Sequence, residues 1–232
     1  SGLVGSEMCI RDRSRGHEML YEEELYYLKQ LIATIYSKMK CYHDEFVSAT
    51  QFRYNLKKTC VYDVFDYTKM EIDERVLQTI YLFQDLVKKD KIEIIREELF
   101  ELDINRRLKN SRSIHLKLFK YLVKEGGGKY PINKCLNDLL GYRFIFHSDL
   151  TLDDVYREIE HYINENYSDN MVKIQNASKL DYKALHIYFK ISNQCFPCEL
   201  QVWLQKDHSN NVKSHRIQKQ AYLDSVSYTH LT

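Results

Sequence analysis

The sequence predicts an α/β (α+β) protein in which a mixed β-sheet flanked by helices follows an N-terminal helical extension. Two observations lead to this prediction. In the first hundred positions, apolar residues recur every three or four residues, which is typical of amphipathic helices. Farther along, short runs of β-branched and aromatic residues alternate with helical segments, and the last two such runs are neighbours along the chain.

The helical extension contains two apolar series with helical spacing. The first series consists of Leu25, Leu28, Ile32, Ile35 and Met39. The second follows an irregular stretch rich in Tyr and Asp and consists of Ile72, Val76, Ile80, Phe83 and Val87. Because residues three and four apart share one face of a helix, both series predict helices with one buried face.

The second region is expected to alternate between strands and helices. Strands are predicted at 105–109, 141–147, 171–175, 184–191 and 198–204. One helix is predicted to begin after an N-cap at Asn110 or Ser111 and to end near Lys124, where the glycines at 126–128 break it. A second helix begins at Thr151, and a polar helix is predicted at 211–223.

Both chain ends are expected to be foreign to the fold. The stretches 1–14 and 225–232 resemble translated sequencing-adaptor sequence, which makes Met19 the expected natural start. We therefore divide the chain into a non-native segment at 1–14, a helical extension at 15–100, a catalytic-type α/β domain at 101–224 and a non-native tail at 225–232.

Composition narrows the class of protein. The formal net charge of +1 argues against nucleic-acid binding by bulk charge alone, although local basic clusters are not excluded. No apolar run approaches the ~20 residues that cross a membrane, and no signal-peptide core follows the first residues. The six cysteines lack the density of a secreted disulfide framework, so we expect a reducing cytoplasmic compartment and no membrane partner.

A basic stripe is predicted at the start of the second region. Arg107 and Lys109 share one face of an extended segment, and Ser113, Lys117 and Lys120 follow on one stripe of the next helix. The first turn of that helix offers free N–H groups beside Ser113, which suits a phosphate. The alternative is a solvated basic helix face.

Two carboxylates and an arginine enter predicted strands. Asp138 precedes a hydrophobic strand, where a carboxylate normally needs a partner or a metal, and Gly141 and Arg143 follow it. Glu199 and Gln201 share one face of the strand at 198–204 because side chains alternate along a strand. For Asp138 the alternative is a structural Asp–Arg pair, and for Glu199 and Gln201 it is a solvent-facing side of the sheet.

An aromatic pair lies at the start of the strand predicted at 184–191, with Tyr182 just before the strand. Tyr182 offers an aromatic plane and His186 follows four residues later. A core tyrosine with a satisfied histidine is the alternative.

Taken in order, these segments resemble the synthetase domain of the RelA/SpoT family in its small stand-alone form. That family shows a basic R-x-K-x3-S-x3-K segment, then D-x-x-G-x-R, then G-Y-x-S-x-H, then E-x-Q. The matching residues are Arg107, Lys109, Ser113 and Lys117, then Asp138, Gly141 and Arg143, then Tyr182 and His186, then Glu199 and Gln201. The resemblance implies a nucleotidyltransferase-like fold and a pyrophosphokinase that uses ATP and Mg²⁺.

The resemblance also implies a role for each residue of the donor side, which is the part of the site that would bind ATP. Adenine would lie between Arg107 and Arg143. The ATP phosphates would contact four residues, namely Lys109, Ser113, Lys117 and Lys120. Asp138 and Glu199 would bind Mg²⁺ as the catalytic carboxylates, and Glu199 would also help activate the attacking 3′-hydroxyl.

On the acceptor side, the resemblance implies that Tyr182 stacks on the acceptor base and that His186, Gln201 and Lys179 line its site. The departures from the family pattern fall on this side. Asp181 replaces the glycine before the tyrosine, Ser178 replaces a lysine with Lys179 one place late, and Trp203-Leu204 replaces a frequent Arg-Thr pair. The donor side is nearly intact.

Three functions are therefore expected in order of preference. The first is synthesis of the alarmones (p)ppGpp from ATP and GDP or GTP. The second is the toxic branch of small synthetases, some of which pyrophosphorylate the 3′ end of tRNA and are neutralised by an antitoxin protein; the basic positions that favour it are Lys38, Lys40, Arg53, Lys57 and Lys58. The third is a nucleotide-binding module without catalysis. A homo-oligomer is compatible with each.

Overall fold

A computed structural model describes the backbone of residues 5–69, 71–89, 103–168 and 170–227. Within these ranges, the side chains of residues 5–20, 103, 218, 219 and 221–227 are left undescribed. The predicted domain boundary at residues 100 and 101 lies outside the described residues, as do the first four and last five residues of the two predicted foreign ends. Among the described helices, none combines the length and apolar character required to cross a membrane.

Up to residue 89, where its description ends, the helical extension contains two long helices joined by an irregular segment. Its elements are α1 (Gly5–Ala49), a 3₁₀ turn (Val61–Val64), the antiparallel pair β1 (Phe65–Asp66) and β2 (Glu71–Ile72), and α2 (Glu74–Lys89). The prediction that Ile72 opens the second helix is wrong. Ile72 belongs to β2, because the carboxylate of Asp73 accepts a hydrogen bond from the Arg75 N–H and so starts the helix after it.

The second region forms one five-stranded mixed sheet. Its strands are β3 (Asp103–Leu108), β4 (Leu140–Phe146), β5 (Val172–Asn176), β6 (Leu185–Phe189) and β7 (Cys198–Leu204). The spatial order is β3-β4-β7-β6-β5. The pairing of β4 with β7 is parallel and the three other pairings are antiparallel. The predicted mixed sheet flanked by helices is confirmed.

In the described residues from 103 onward, four helices accompany the sheet, and side-chain caps start two of them. They are α3 (Ser111–Val123), α4 (Ile132–Cys135), α5 (Leu152–Asn166) and α6 (His208–Ser227). Asn110 caps α3 by accepting a hydrogen bond from the Ser113 N–H at 2.8 Å. Thr151 and Asp154 form a reciprocal capping box at α5. Both predicted helix starts are therefore confirmed.

Strand register sorts the sheet into an apolar face and a polar face. On the apolar face, directly paired residues form three rows, which are Leu140–Cys198–Phe189–Val172, Tyr142–Leu200–Ile187–Ile174 and Phe144–Val202–Leu185. These rows belong to the same core cluster as the buried residues of α1, α2 and α5. The helical extension thus shares its hydrophobic core with the sheet.

The extension also contacts the sheet and α3 through polar groups. The buried Glu24 of α1 accepts hydrogen bonds from the His147 and Ser148 N–H groups at the end of β4, at 2.7 and 3.1 Å. Gln84 of α2 donates to the Lys109 carbonyl oxygen at 2.5 Å. Because a buried polar group needs a partner, these contacts fix where α1 and α2 lie against the strands.

The glycine turn after α3 provides a test of the fold. Gly127 and Gly128 both have left-handed backbone, with φ of 56° and 75°. A Cβ on Gly127 would meet no atom within 4 Å, whereas one on Gly128 would lie 2.9 Å from Tyr62 Cβ and 3.0 Å from Leu122 Cδ1. Gly127→Ala should therefore lower the free energy of unfolding by about 1–2 kcal/mol from backbone strain alone. Gly128→Ala adds a steric clash and should cost about 3 kcal/mol.

Urea denaturation of both variants beside the unsubstituted chain measures the difference. Equal losses of unfolding free energy in the two variants would show that Tyr62 and Leu122 move aside without cost. Packing against Gly128 would then contribute nothing to stability.

Candidate functional site

The polar face of the sheet carries five of the twelve predicted site residues, namely Arg107, Arg143, His186, Glu199 and Gln201. Two rows of directly paired residues cross all five strands, and they are Arg107–Gly141–Glu199–Tyr188–Lys173 and Asn105–Arg143–Gln201–His186–Gln175. Directly paired residues project from the same side of a sheet. The two rows therefore bring residues from four sequence motifs onto one surface.

At the β4 end of this surface, Asp138 pairs with two lysines. Lys109 Nζ lies 2.6 Å from Asp138 Oδ2, and Lys117 Nζ lies 3.0 Å from Asp138 Oδ1. Lys117 Nζ also donates to Asn137 Oδ1 at 3.3 Å. Each carboxylate oxygen therefore has its own ammonium partner, and all three charges are largely withdrawn from solvent.

Two groups of this cluster, Asp138 and Lys109, have shifted pKa values. Burial alone would raise the pKa of Asp138, but the positive charges of Lys117 and Lys109 and the hydrogen bonds they donate lower it to about 2. Burial lowers the pKa of Lys109, while the charge of Asp138 acts in the opposite direction. The aspartate is thus ionised at neutral pH and is held by cations that lie within reach of an incoming anion.

The remaining donor-side residues lie around this cluster. Ser113 lies in the first turn of α3, where its N–H is bonded to Asn110. Arg107 is exposed on β3, directly opposite Gly141. Lys120 does not join the cluster, because its Nζ forms an ion pair with Glu125 Oε1 at 2.6 Å.

Gly141 of β4 has room for a side chain on the polar face. A Cβ there would find its nearest neighbours at 3.8 Å (Glu199 O) and 4.0 Å (Arg107 O), which is ordinary van der Waals contact. The described protein atoms do not by themselves require a glycine at this position.

Glu199 lies at the centre of a hydrogen-bonded chain. Its Oε1 is 3.0 Å from His186 Nδ1, and its Oε2 accepts from Gln201 Nε2 at 3.0 Å. Arg143 Nη2 in turn donates to Gln201 Oε1 at 3.3 Å. On the other side, the Tyr182 hydroxyl lies 2.8 Å from His186 Nε2. The chain therefore runs from the donor-side arginine through the carboxylate to the acceptor-side tyrosine.

The carboxylate determines where the proton lies on His186. An ionised Glu199 can only accept, so Nδ1 carries a proton and donates it to Oε1. Nε2 then accepts from the Tyr182 hydroxyl when the ring is neutral, and donates to it when the ring is protonated. Burial would raise the pKa of Glu199, but the hydrogen bond and charge of His186 outweigh burial, so that the pKa lies below its usual value even though the charge of Asp138 opposes this.

Tyr182 is enclosed rather than open. Its side chain is only 7% exposed, and its ring makes edge contacts with Trp203, His186 and His215. Burial raises the pKa of its hydroxyl. Lys179 is exposed in the turn that leads to Tyr182, and the two residues exchange backbone hydrogen bonds at 2.8 and 2.9 Å. The expected stacking surface of Tyr182 is thus covered in this structure.

Three residues of the site were not singled out as site residues from the sequence. Tyr188 lies opposite Glu199 in the β6–β7 pairing, and its hydroxyl is 3.0 Å from His186 Nδ1. Strand alternation from His186 could have identified it. Trp203 was noted only as a departure from the family pattern. His215 of α6 carries no local signal, because its contacts with the sheet residues Trp203 and Tyr182 depend on how α6 packs.

The donor set at the two carboxylates fits a magnesium ion that is shared with a substrate. Mg²⁺ prefers oxygen ligands, and it commonly takes one or two carboxylates together with substrate phosphates and waters. Asp138 and Glu199 are of that type, and the charge of Asp138 acts to raise the pKa of Glu199 against its stronger partner His186. Among the described residues, no group of three or more His, Cys, Asp or Glu side chains gathers to hold a metal by itself.

These contacts bring together residues from all four sequence motifs in one place. The chain is similar to small alarmone synthetases. The crystal structure of small alarmone synthetase 1 from Bacillus subtilis bound to its product pppGpp aligns at 14% identity, over 63% of this chain and 79% of that chain, with a TM-score of 0.34. A second crystal structure of that protein aligns at 16% identity over 68% and 93%, with a TM-score of 0.32.

A third structure, of the same Bacillus subtilis protein bound to AMPCPP, aligns at 17% identity over 67% of this chain and 90% of that chain, with a TM-score of 0.27. No protein-family model and no curated protein matches the chain.

The environment of His215 predicts how stability depends on pH. Burial lowers the pKa of His215 to about 4, and the charges of Arg143, His186 and Arg107 act in the same direction, whereas Glu199 opposes them. The unfolded chain takes up this proton near the ordinary value of 6.5, and the folded protein only near 4. The free energy of unfolding should therefore fall as the pH falls through this interval, and His215 should contribute no pH dependence above it.

His215→Leu removes that titration, so its free energy of unfolding should fall less steeply between pH 6.5 and pH 4. Urea denaturation at several pH values measures the slope. His161→Leu is the matched control, because His161 is exposed on α5 beside Glu165. An unchanged slope in His215→Leu would contradict burial of a neutral imidazole.

Proposed function

We propose that the chain is an ATP-dependent pyrophosphokinase that transfers pyrophosphate to the 3′-hydroxyl of GDP or GTP and so makes (p)ppGpp. The observation that carries the proposal is the single surface on which Glu199, bonded to His186 and Gln201, lies beside Asp138 with its two lysines. Phosphoryl transfer depends mainly on positioning and on charge neutralisation. This surface provides cations, carboxylates and an oriented histidine together.

On the donor side, the lysines exchange partners. Lys109 and Lys117 both donate to Asp138, and the phosphate oxygens of ATP would offer them charge-assisted hydrogen bonds of the same kind. With the lysines on the phosphates, Asp138 and Glu199 would be the residues that hold a magnesium ion. The bound magnesium ion would neutralise charge that develops on the transferred phosphates.

On the acceptor side, Glu199 receives the proton of the attacking hydroxyl. The 3′-oxygen forms a bond to the β-phosphorus of ATP, the bond from that phosphorus to the oxygen bridging to the α-phosphate breaks, and AMP leaves. Glu199 is ionised at neutral pH because of its hydrogen bond with His186, so it can accept the proton at once. His186 and Gln201 keep both oxygens of the carboxylate in place.

The test is an assay with β- or γ-labelled ATP and either GDP or GTP, with labelled products separated by thin-layer chromatography. The unsubstituted chain should transfer label to the guanine nucleotide. Glu199→Gln preserves shape and removes the charge, so turnover should fall by a factor of about 10² or more, while ATP binding measured by calorimetry stays within a factor of two or three.

Glu165→Gln provides the matched control, since Glu165 is an exposed carboxylate on α5. It should leave turnover unchanged. Label transfer by Glu199→Gln at the rate of the unsubstituted chain would remove Glu199 from the mechanism. Absence of label on any acceptor, with ATP still bound, would instead favour the non-catalytic nucleotide-binding module.

A second acceptor, the 3′ end of tRNA, is favoured by crowding of positive charge on the loop after α1. Lys57 and Lys58 are exposed there, and the Leu56 N–H bonds to the Asn193 carbonyl oxygen beyond β6. Burial lowers the pKa of Lys190 at the end of β6, and the charge of Lys57 lowers it further. Lysines this close repel each other, and a polyanion would relieve the repulsion.

The two acceptors respond differently to loss of these charges. Simultaneous replacement of Lys38, Lys40, Lys57 and Lys58 by Gln should leave GDP-dependent turnover within about twofold, since a mononucleotide occupies only the cleft. Activity on deacylated tRNA should collapse. Each lost phosphate contact should flatten the plot of log affinity against log salt by about 0.7.

The control is a Lys88→Gln and Lys89→Gln double variant, which removes exposed positive charge at the end of α2 instead. Circular dichroism is the measurement that checks whether each variant is folded. Loss of GDP-dependent turnover in the folded quadruple variant would place the helical extension inside the active site and contradict the separation of the two regions.

A further inference from the structure

We propose that Trp203 is a positioning residue that holds Arg143 and Tyr182 in fixed relation, and so couples the donor and acceptor sides of the pyrophosphate transfer proposed above. Trp203 touches neither substrate in this proposal. It acts through the two side chains that pack on its indole ring. The inference rests on the proposed function for its catalytic consequence, but its structural part is testable without any activity.

The first contact joins the indole to the donor side. Arg143 Cζ lies 3.6 Å from the centroid of the Trp203 ring. A guanidinium over the face of a tryptophan is attracted by the ring quadrupole, and stacking holds its plane parallel to the ring. In that position Arg143 Nη2 reaches Gln201 Oε1, and Gln201 in turn donates to Glu199. The indole thereby fixes one end of the chain that leads to the catalytic carboxylate.

The second contact joins the same indole to the acceptor side. The Tyr182 ring meets Trp203 edge to face, with centroids 6.1 Å apart and planes at 86°. The hydroxyl of this tyrosine is bonded to His186, the other partner of Glu199. Trp203 therefore contacts both ends of the hydrogen-bonded chain, while Glu199 occupies its centre.

Trp203 is not simply part of the main hydrophobic core. It is fully buried, yet it belongs to a separate small cluster with Ile145, Tyr182 and Ala184, on the polar side of the sheet. Aromatic pairs stabilise a fold by more than the area that they bury accounts for. A large buried aromatic on this face therefore stabilises the part of the sheet that carries the site residues.

Helix α6 covers this cluster on the polar face of the sheet. The side chain of the fully buried Asn211 exchanges two hydrogen bonds with the backbone of Lys183, both at 2.8 Å. One helical turn later, His215 stacks on Trp203 with centroids 5.5 Å apart and planes at 22°. Asn211 thus attaches α6 to the segment beside Tyr182, and His215 keeps the indole from turning.

Trp203 is the only tryptophan in the chain, so its fluorescence reports this stack without labelling. Indole emission responds to charged and polar groups that contact the ring. Arg143→Met should therefore change the intensity and wavelength of emission in the ligand-free protein. Arg157→Met is the matched control, because Arg157 is exposed on α5 and paired with Asp154, and it should leave emission unchanged.

Ligands provide the second measurement. A non-hydrolysable ATP analogue and GDP, titrated separately into the unsubstituted chain, should each alter Trp203 emission, the first through Arg143 and the second through Tyr182. Arg143→Met should abolish the response to the ATP analogue and keep the response to GDP. Tyr182→Leu should do the reverse.

Kinetics then separate positioning from mere stability. Trp203→Phe keeps an aromatic face and should raise KM for ATP by about threefold, whereas Trp203→Leu should raise it about tenfold. If circular dichroism shows that Trp203→Leu is unfolded, the KM of Trp203→Phe and the fluorescence titrations still test the proposal.

Emission that is unchanged by Arg143→Met in the free protein would overturn the stack itself. Responses to both ligands that survive in both Arg143→Met and Tyr182→Leu would overturn the coupling. Failure of label transfer with intact fluorescence responses would instead contradict the proposed synthetase function and still support the contacts of Trp203. Failure of the proposed function can thus be distinguished from failure of this inference.

Discussion

The parallel pairing of β4 with β7 is the constraint on which the rest of the structure depends. It places Gly141 opposite Glu199 and Arg143 opposite Gln201, across 58 residues of sequence in each case. A slip of one residue would turn every side chain of one strand to the opposite face. The apolar rows on the other face oppose such a slip, because it would expose them to solvent. Packing of the hydrophobic core thus holds the polar residues in register.

Burial of charge is the cost of assembling this surface. Asp138 and Glu199 are both largely withdrawn from water, and an unpaired buried carboxylate would be strongly unfavourable. Lys109 and Lys117 compensate the first, whereas His186 and Gln201 compensate the second. The partners of the two carboxylates differ in chemistry. The lysines beside Asp138 have long side chains that can move with a phosphate. His186 and Gln201 are held by the neighbouring strands β6 and β7, and they keep Glu199 oriented.

The helical extension is part of this arrangement and not an appendage. Glu24 of α1 secures the end of β4, and Gln84 of α2 bonds to the backbone of Lys109. The Tyr81 hydroxyl of α2 also lies 2.7 Å from Ser111 Oγ at the start of α3. Displacement of α2 would therefore be transmitted to the basic segment. This explains physically why a region without motif residues shares one core with the region that carries them.

Local patterns were sufficient to predict most elements and most candidate residues. The Asn110 and Thr151 caps, the alternation along β7, and the helical spacing of α1 act over a few residues, so the sequence determines them directly. Motif order likewise brought Asp138, Arg143, His186 and Glu199 into one hypothesis before any contact was known.

Only the tertiary structure decided which of these groups meet. Lys120 shares a helix stripe with Lys117, yet it turns to Glu125, because the turn after α3 brings that carboxylate within reach. Tyr182 is covered and Trp203 is stacked, because α6 folds back over the sheet. No local periodicity encodes these contacts, and those made by His215 of α6 join it to residues as many as 33 positions away. The sequence by itself therefore determined the elements and the chemical types present, whereas strand register and the packing of α6 decided their partners, because those depend on burial of surfaces formed by the whole chain.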